Sequence, residues 1–240
     1  MSATATAPRR GARAVPLPPR VLKLLGALLD YPREELWSHR EELLAACHDA
    51  GLPKAVAARL HDFTAQMLAM EPMDAQERWL ALFDRGRAMS LLLFEHIHGE
   101  SRDRGQAMVD LVETYRRNGF EMAARELPDY LPLVLEYLAQ RPDAEASDWL
   151  NHIAHILGLL AARAAERESP YALLLDLLAG SEHSLRANSS LRERARSEPR
   201  DDTPEAMDKV WEEEAVRFGN EAPSDDCQPN RSATTRPTAR

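Results

Sequence analysis

Between Glu95 and Arg104 the chain gathers Glu95, His96, His98, Glu100, Arg102, Asp103 and Arg104. Two chemistries suit such a set. The first is metal binding. Glu95 and His98 stand three apart and share a helix face, as ligands do, whereas His96 points elsewhere. Two ligands are too few, so a His/Glu metal centre needs His152 and His155 brought to Glu95 and His98 by the fold. The plainer alternative is histidines hydrogen-bonded at the edge of a helical core. The second chemistry is anion binding. Ser101 can cap the helix that follows, and its first-turn N–H groups with Arg102 and Arg104 can face a phosphate. Against this stands a structural use of the same arginines in ion pairs with residues such as Glu95. The P-loop spacing is missing, as are a nucleophile elbow, an HExxH pair, a dinucleotide fingerprint and a paired-cysteine motif. No catalytic centre and no metal site are therefore predicted.

The elements that must position these residues read as helices. Leucine dominates the apolar fraction, with isoleucine only at 97, 153 and 156, and no alternating run is long enough for a strand. Apolar residues recur at helical spacing from Val21 to Leu28, along Val56, Leu60, Phe63 and Met67, and along Trp149, Ile153, Ile156 and Leu160. Residues 88–98 are apolar almost all round, which predicts a central buried helix. Asp74 with Glu77 reads as a capping-box start, and Asn118-Gly119 as a left-handed stop. Pro128 and Pro132 exclude regular helix through ELPDYLP. The expected fold is all-α: a single compact bundle of about eight to ten helices over 20–181. A disordered arm (1–19) precedes it, and a polar tail (182–240) follows, with a docking helix near 203–218.

The chain has 240 residues and a formal charge of −9, with 44% hydrophobic residues. Residues 20–180 hold 26 acidic against 17 basic side chains. An acidic body argues against nucleic acid and against an anionic membrane surface, and suits a basic peptide. Cys47 and Cys227 are isolated thiols, which fits a reducing cytoplasm. No apolar run approaches the ~18 residues of a membrane span. Arg9-Arg10 lacks the apolar region that an export signal needs after it.

The run from Phe83 to Leu111, FDRGRAMSLLLFEHIHGESRDRGQAMVDL, resembles the signature of the NarJ-type assembly chaperones of respiratory nitrate reductase. RELPDYLPLVLEYLAQ (125–140), RESPYALLLDLL (167–178) and DDTPEAMDKVWEEEAVRF (201–218) are similar to later parts of that family, so the likeness spans roughly residues 20–218. Two marks of the wider all-helical molybdoenzyme chaperone group also appear. WLALFDRG (79–86) resembles its aromatic-x-x-Leu-Phe motif. Glu126-Leu127-Pro128-Asp129 resembles its Glu-x-x-Asp-His hinge, with Tyr130 where the group has histidine.

The resemblance implies a cytoplasmic, non-enzymatic helper that is absent from the finished enzyme. It would bind the N-terminal segment of the apo catalytic (alpha) subunit, as the alpha-beta complex, while the molybdenum cofactor is inserted ahead of membrane attachment. Cofactor-delivery proteins would be further partners. The expected client site is an apolar groove with an acidic rim at Trp79, Glu95, His98, Glu126, Asp129 and Tyr130. Arg102 and Arg104 are candidates for transient contact with the client's molybdopterin guanine dinucleotide, and no cofactor would be held permanently. The alternatives are a metal-dependent enzyme using the His/Glu set above, and a structural subunit retained in the complex.

Overall fold

Prolines and left-handed glycines set the joints of the helices. In the computed structural model, residues 17–99, 101–122, 126–185 and 188–209 are described. They form α1 (Pro19–Leu29), α2 (Glu35–Ser38), α3 (Arg40–His48), α4 (Lys54–Leu68), α5 (Pro72–Phe83), a 3-10 turn (Arg87–Met89), α6 (Leu93–His98), α7 (Asp103–Arg117), α8 (Leu131–Leu138), α9 (Asp143–Glu166), α10 (Ala172–His183) and α11 (Ser189–Ser197). Pro19, Pro72 and Pro132 occupy first-turn positions, where a missing N–H costs nothing. Gly51 and Gly119 take positive φ at the ends of α3 and α7. At α7 the expected stop forms, with Phe120 N–H donating to the Tyr115 carbonyl. The fold is all-α, as the leucine-rich composition predicts.

The core is built on α1, α8, α9 and α10. Leu22, Leu25, Leu28 and Leu29 on α1, with Leu131, Leu135 and Leu138 on α8, are fully buried. Gly26 lets these helices close: a Cβ there would lie 3.3 Å from the Pro132 carbonyl oxygen. Alongside them α9 packs against α10 and α11, and α3 against α4. Each buried leucine contributes roughly 1.5–3 kcal/mol.

Two expectations about local structure fail. The run over 88–98 is not one helix. Arg87–Met89 is a 3-10 turn, Ser90 and Leu92 are extended on either side of a bend at Leu91, and only Leu93–His98 is α-helical. The cause lies in ELPDYLP, which makes a turn at Pro128–Asp129, closed by Tyr130 N–H on the Leu127 carbonyl, before α8 begins, and whose remaining backbone groups need partners. Leu92 and Tyr130 form an antiparallel bridge, Leu131 N–H donates to the Leu91 carbonyl, and Leu93 N–H to the Asp129 carbonyl. A tertiary pairing thus overrides leucine's helix preference. Likewise α5 begins two residues before Asp74, at Pro72, with no side-chain cap.

The chain divides into two units, residues 1–202 and 203–240. The polar segment after 184 belongs to the first unit as far as Asp202, because its charges pair with those of α9. In the second unit, Thr203 opens a short helical stretch, its Oγ1 accepting from Ala206 N–H. The rest of the helix expected near 203–218, the arm before residue 17, Glu100 and Cys227 lie outside the described residues.

Candidate functional site

The hinge motif is a tied knot rather than an open rim. Asp129 is fully buried; its Oδ2 accepts from Phe94 N–H at 2.9 Å, so it caps α6 from another segment. Its second oxygen and the Nε of Arg104 lack hydrogen-bond partners among the described residues. Burial raises the Asp129 carboxyl above the usual range, opposed by the Phe94 and Asp129 N–H groups and the charge of Arg104. The Tyr130 hydroxyl donates to Asp30 Oδ1 at 2.8 Å, and burial with that carboxylate pushes the phenol pKa up. Tyr115 donates to the Pro128 carbonyl at 2.8 Å.

Glu95 pairs with Arg104 at 3.3 Å, each about a fifth to a quarter exposed. His98 sets its ring edge-on to Phe94, and His96 Nε2 lies 2.8 Å from the Ser90 carbonyl, so that nitrogen carries the proton. Burial lowers the His96 pKa. Glu126 is exposed and reaches Arg33 at 3.4 Å. Arg102 is exposed too, while Arg104 is committed to Glu95, so the pair does not make a phosphate cradle. Glu95, His98, His152 and His155 do not assemble as ligands: no group of three or more His, Cys, Asp or Glu among the described residues is placed to hold a metal ion.

The apolar cleft lies elsewhere. A concavity of ≈ 440 Å³ is floored by Phe63, Met67, Met70, Leu82 and Tyr171. The α4 face, the α5 face and the loop from α9 to α10 wall it. None of Trp79, Glu95, His98, Glu126, Asp129 and Tyr130 lines it. Trp79 is 9% exposed and donates from Nε1 to the Leu29 carbonyl at 2.8 Å. It stands behind the floor in a row of rings, Tyr31–Trp79–Phe83–Tyr171–Phe63, with centroids 5.1–5.4 Å apart. Such contacts stiffen the wall that Tyr171 presents.

Charged residues from the end of the first unit edge the cleft. Asp202 bonds Arg167 (3.2 Å) and Arg200 (2.6 Å), and these cations hold its carboxyl far below the usual range. Glu198 bonds Arg163 at 2.7 Å. Asp201 Oδ2 accepts from Ala88 N–H at 2.7 Å, against Gly86, where an added Cβ would come within 2.6 Å of the carboxylate. Residues 198–202 thereby strap α9 to the turn after α5.

A model of the nitrate reductase delta subunit family matches residues 49–176, which include every cleft residue except Arg200 and Asp202. The chain is 52% identical over 198 residues to the nitrate reductase molybdenum cofactor assembly chaperone NarJ of Escherichia coli (strain K12), covering 82% of this chain and 84% of that protein.

The chain belongs to the nitrate reductase delta subunit family.

Two further members bracket the divergence. The probable nitrate reductase molybdenum cofactor assembly chaperone NarW of the same strain is 48% identical (83% of this chain, 84% of that one). The probable chaperone NarJ of Bacillus subtilis (strain 168) is 31% identical (64% and 83%). These members of the delta subunit family are named as assembly chaperones, not catalysts, and this chain is a system-specific assembly chaperone of that type. No helix among its described residues is long and apolar enough to cross a membrane. The motif reading located the family; it missed the cleft. Phe63 and Met67 read as one face of a core helix, and only the RESPY stretch (167–171), quoted for its likeness to the family, pointed at the cleft wall.

Proposed function

We propose that the chain grips the N-terminal segment of the apo catalytic subunit of a respiratory nitrate reductase, as the alpha-beta complex, in the cytoplasm. It would keep that complex from the membrane until the molybdenum cofactor is in place, and leave without having catalysed a reaction. The observation that supports this best is the cleft: methionines and aromatics at its floor suit an amphipathic helix laid in a groove. Its volume takes a few apolar side chains, which fits capture of a short segment rather than of a folded surface. The acidic body complements a basic segment and would speed encounter more than it adds affinity. Arg104 is held by Glu95, so a transient contact with the cofactor's phosphates would fall to the exposed Arg102.

Isothermal titration with a synthetic peptide of the catalytic subunit's N-terminal segment tests the reading. Met70→Asp puts a charge on the half-buried lip of the floor. Binding is expected to weaken by about tenfold or more, the worth of one buried methionine contact. Unchanged affinity would remove the cleft from the proposal.

A further inference from the structure

One lip of the cleft carries a backbone conformation that its own fold does not need from that residue. The C-terminus of α9 closes in a paired turn, with Glu168 N–H donating to the Ala165 carbonyl (3.0 Å) and Ser169 N–H to the Ala164 carbonyl (2.9 Å). The turn forces residue 168 into the left-handed region, where glycine is the usual occupant. Here it is glutamate, φ 53°, the sole non-glycine with positive φ among the described residues. Its neighbours are spent internally, Glu166 on Arg196 and Arg167 on Asp202. The Glu168 side chain is exposed, lines the cleft, and makes no hydrogen bond or ion pair with any described residue. On the α5 wall, Arg78 is likewise exposed, lines the cleft and is unpaired among the described residues. A turn alone is served better by glycine, so the carboxylate answers to something outside this unit.

We infer that Glu168 is the specificity residue of the cleft, reading a lysine or arginine on an amphipathic segment whose apolar residues fill the floor. Arg78, of opposite sign on another wall, fixes which way that segment runs. The inference rests on the cleft being the client site. The occupant is committed by charge: a free carboxylate beside an apolar floor selects a basic side chain next to apolar anchors, and a rim pair of opposite sign sets direction.

The test uses the full chain as wild type, Glu168→Gly and Glu168→Gln. Each is melted, then titrated with the client's N-terminal peptide, with that peptide carrying Gln at its Lys and Arg positions, and with the complete apo catalytic subunit. Glu168→Gly is expected to melt higher, because the left-handed cost disappears, yet to bind about fivefold more weakly. Glu168→Gln should lose similar affinity, and neither variant should distinguish the two peptides as the wild type does. A glutamate that serves only the turn predicts a higher melt with unchanged binding, and that result overturns the inference. If the wild type binds the apo subunit but not the peptide, the N-terminal reading fails, and Glu168 is judged on the subunit titration alone. Binding to neither overturns both. Concentration-dependent self-association that vanishes in Glu168→Gln, with client binding intact, would assign the cleft to a second copy of the chain and also overturn it.

Discussion

His96 and Asp129 lie beside each other's segments and titrate with opposite consequences. Burial lowers the His96 pKa, so below about 6.5 the unfolded chain takes a proton that the folded one refuses. Stability supplied by neutral His96 is full above that pH and falls as the pH drops. Wild-type protein should therefore lose more melting temperature between pH 7 and pH 5 than His96→Gln, whose amide can still donate to the Ser90 carbonyl; equal losses in the two melts would contradict this. Asp129 runs the other way. Its folded pKa is raised, so its contribution is present below the ordinary carboxylate range and is lost as the pH rises through the folded value. Asp129→Asn keeps an oxygen for Phe94 N–H while removing the buried charge, and should raise the melting temperature at pH 7. Asp129→Ala leaves that N–H unmet and should cost ~1–2 kcal/mol in denaturant unfolding. Sequence showed that these residues were special because charge beside an apolar run is costly. It did not show that Asp129 faces inward, since its partner Phe94 is 35 residues away and enters only through the Leu92–Tyr130 bridge.

At the level of elements, the apolar periodicity was a good guide to which stretches are helical and a poor one where two segments traded hydrogen bonds. The stop of α7 was readable because a left-handed glycine acts within a few residues, whereas Pro19 and Pro132, which sit in the first turns of α1 and α8, read as the end of an arm and as a break. The break at Ser90–Leu92 was not readable, because it is imposed by ELPDYLP. Composition also cut the first unit short. The stretch 188–202 is too polar to look like domain, yet Glu198, Asp201 and Asp202 bind Arg163 of α9, Arg167 just after it and the Ala88 N–H. Asp202→Ala would leave Arg167, itself only 10% exposed, with the longer Asp201 contact at 3.6 Å and the Arg163 carbonyl, and is expected to cost ~1.5–3 kcal/mol in urea unfolding. Gly86→Ala should loosen the same strap by collision with Asp201, read as faster hydrogen exchange over 198–202 with exchange in α1 and α8 unchanged. Exchange at 198–202 equal to wild type would mean that the strap does not depend on that close approach.

For the molecule as a whole, the chaperone class was readable and the apolar cleft was not. The four family-like segments set the class, and the acidic body agrees with it. The cleft proposed for that role is made by α4, α5 and the α9–α10 loop, which converge only in three dimensions and carry ordinary core residues. The aromatic row from Tyr31 to Phe63 explains why Trp79 drew notice: it supports the cleft from behind. The central claim is that the client's leading segment lies on Phe63, Met67, Met70, Leu82 and Tyr171, not on the hinge. The most direct measurement is photo-crosslinking with a benzophenone at an apolar position of the client's N-terminal peptide, followed by mass spectrometry of the adduct. The account predicts adducts within 63–70, 75–82 and 168–171. Adducts concentrated at 126–130 and 95–98 would contradict it.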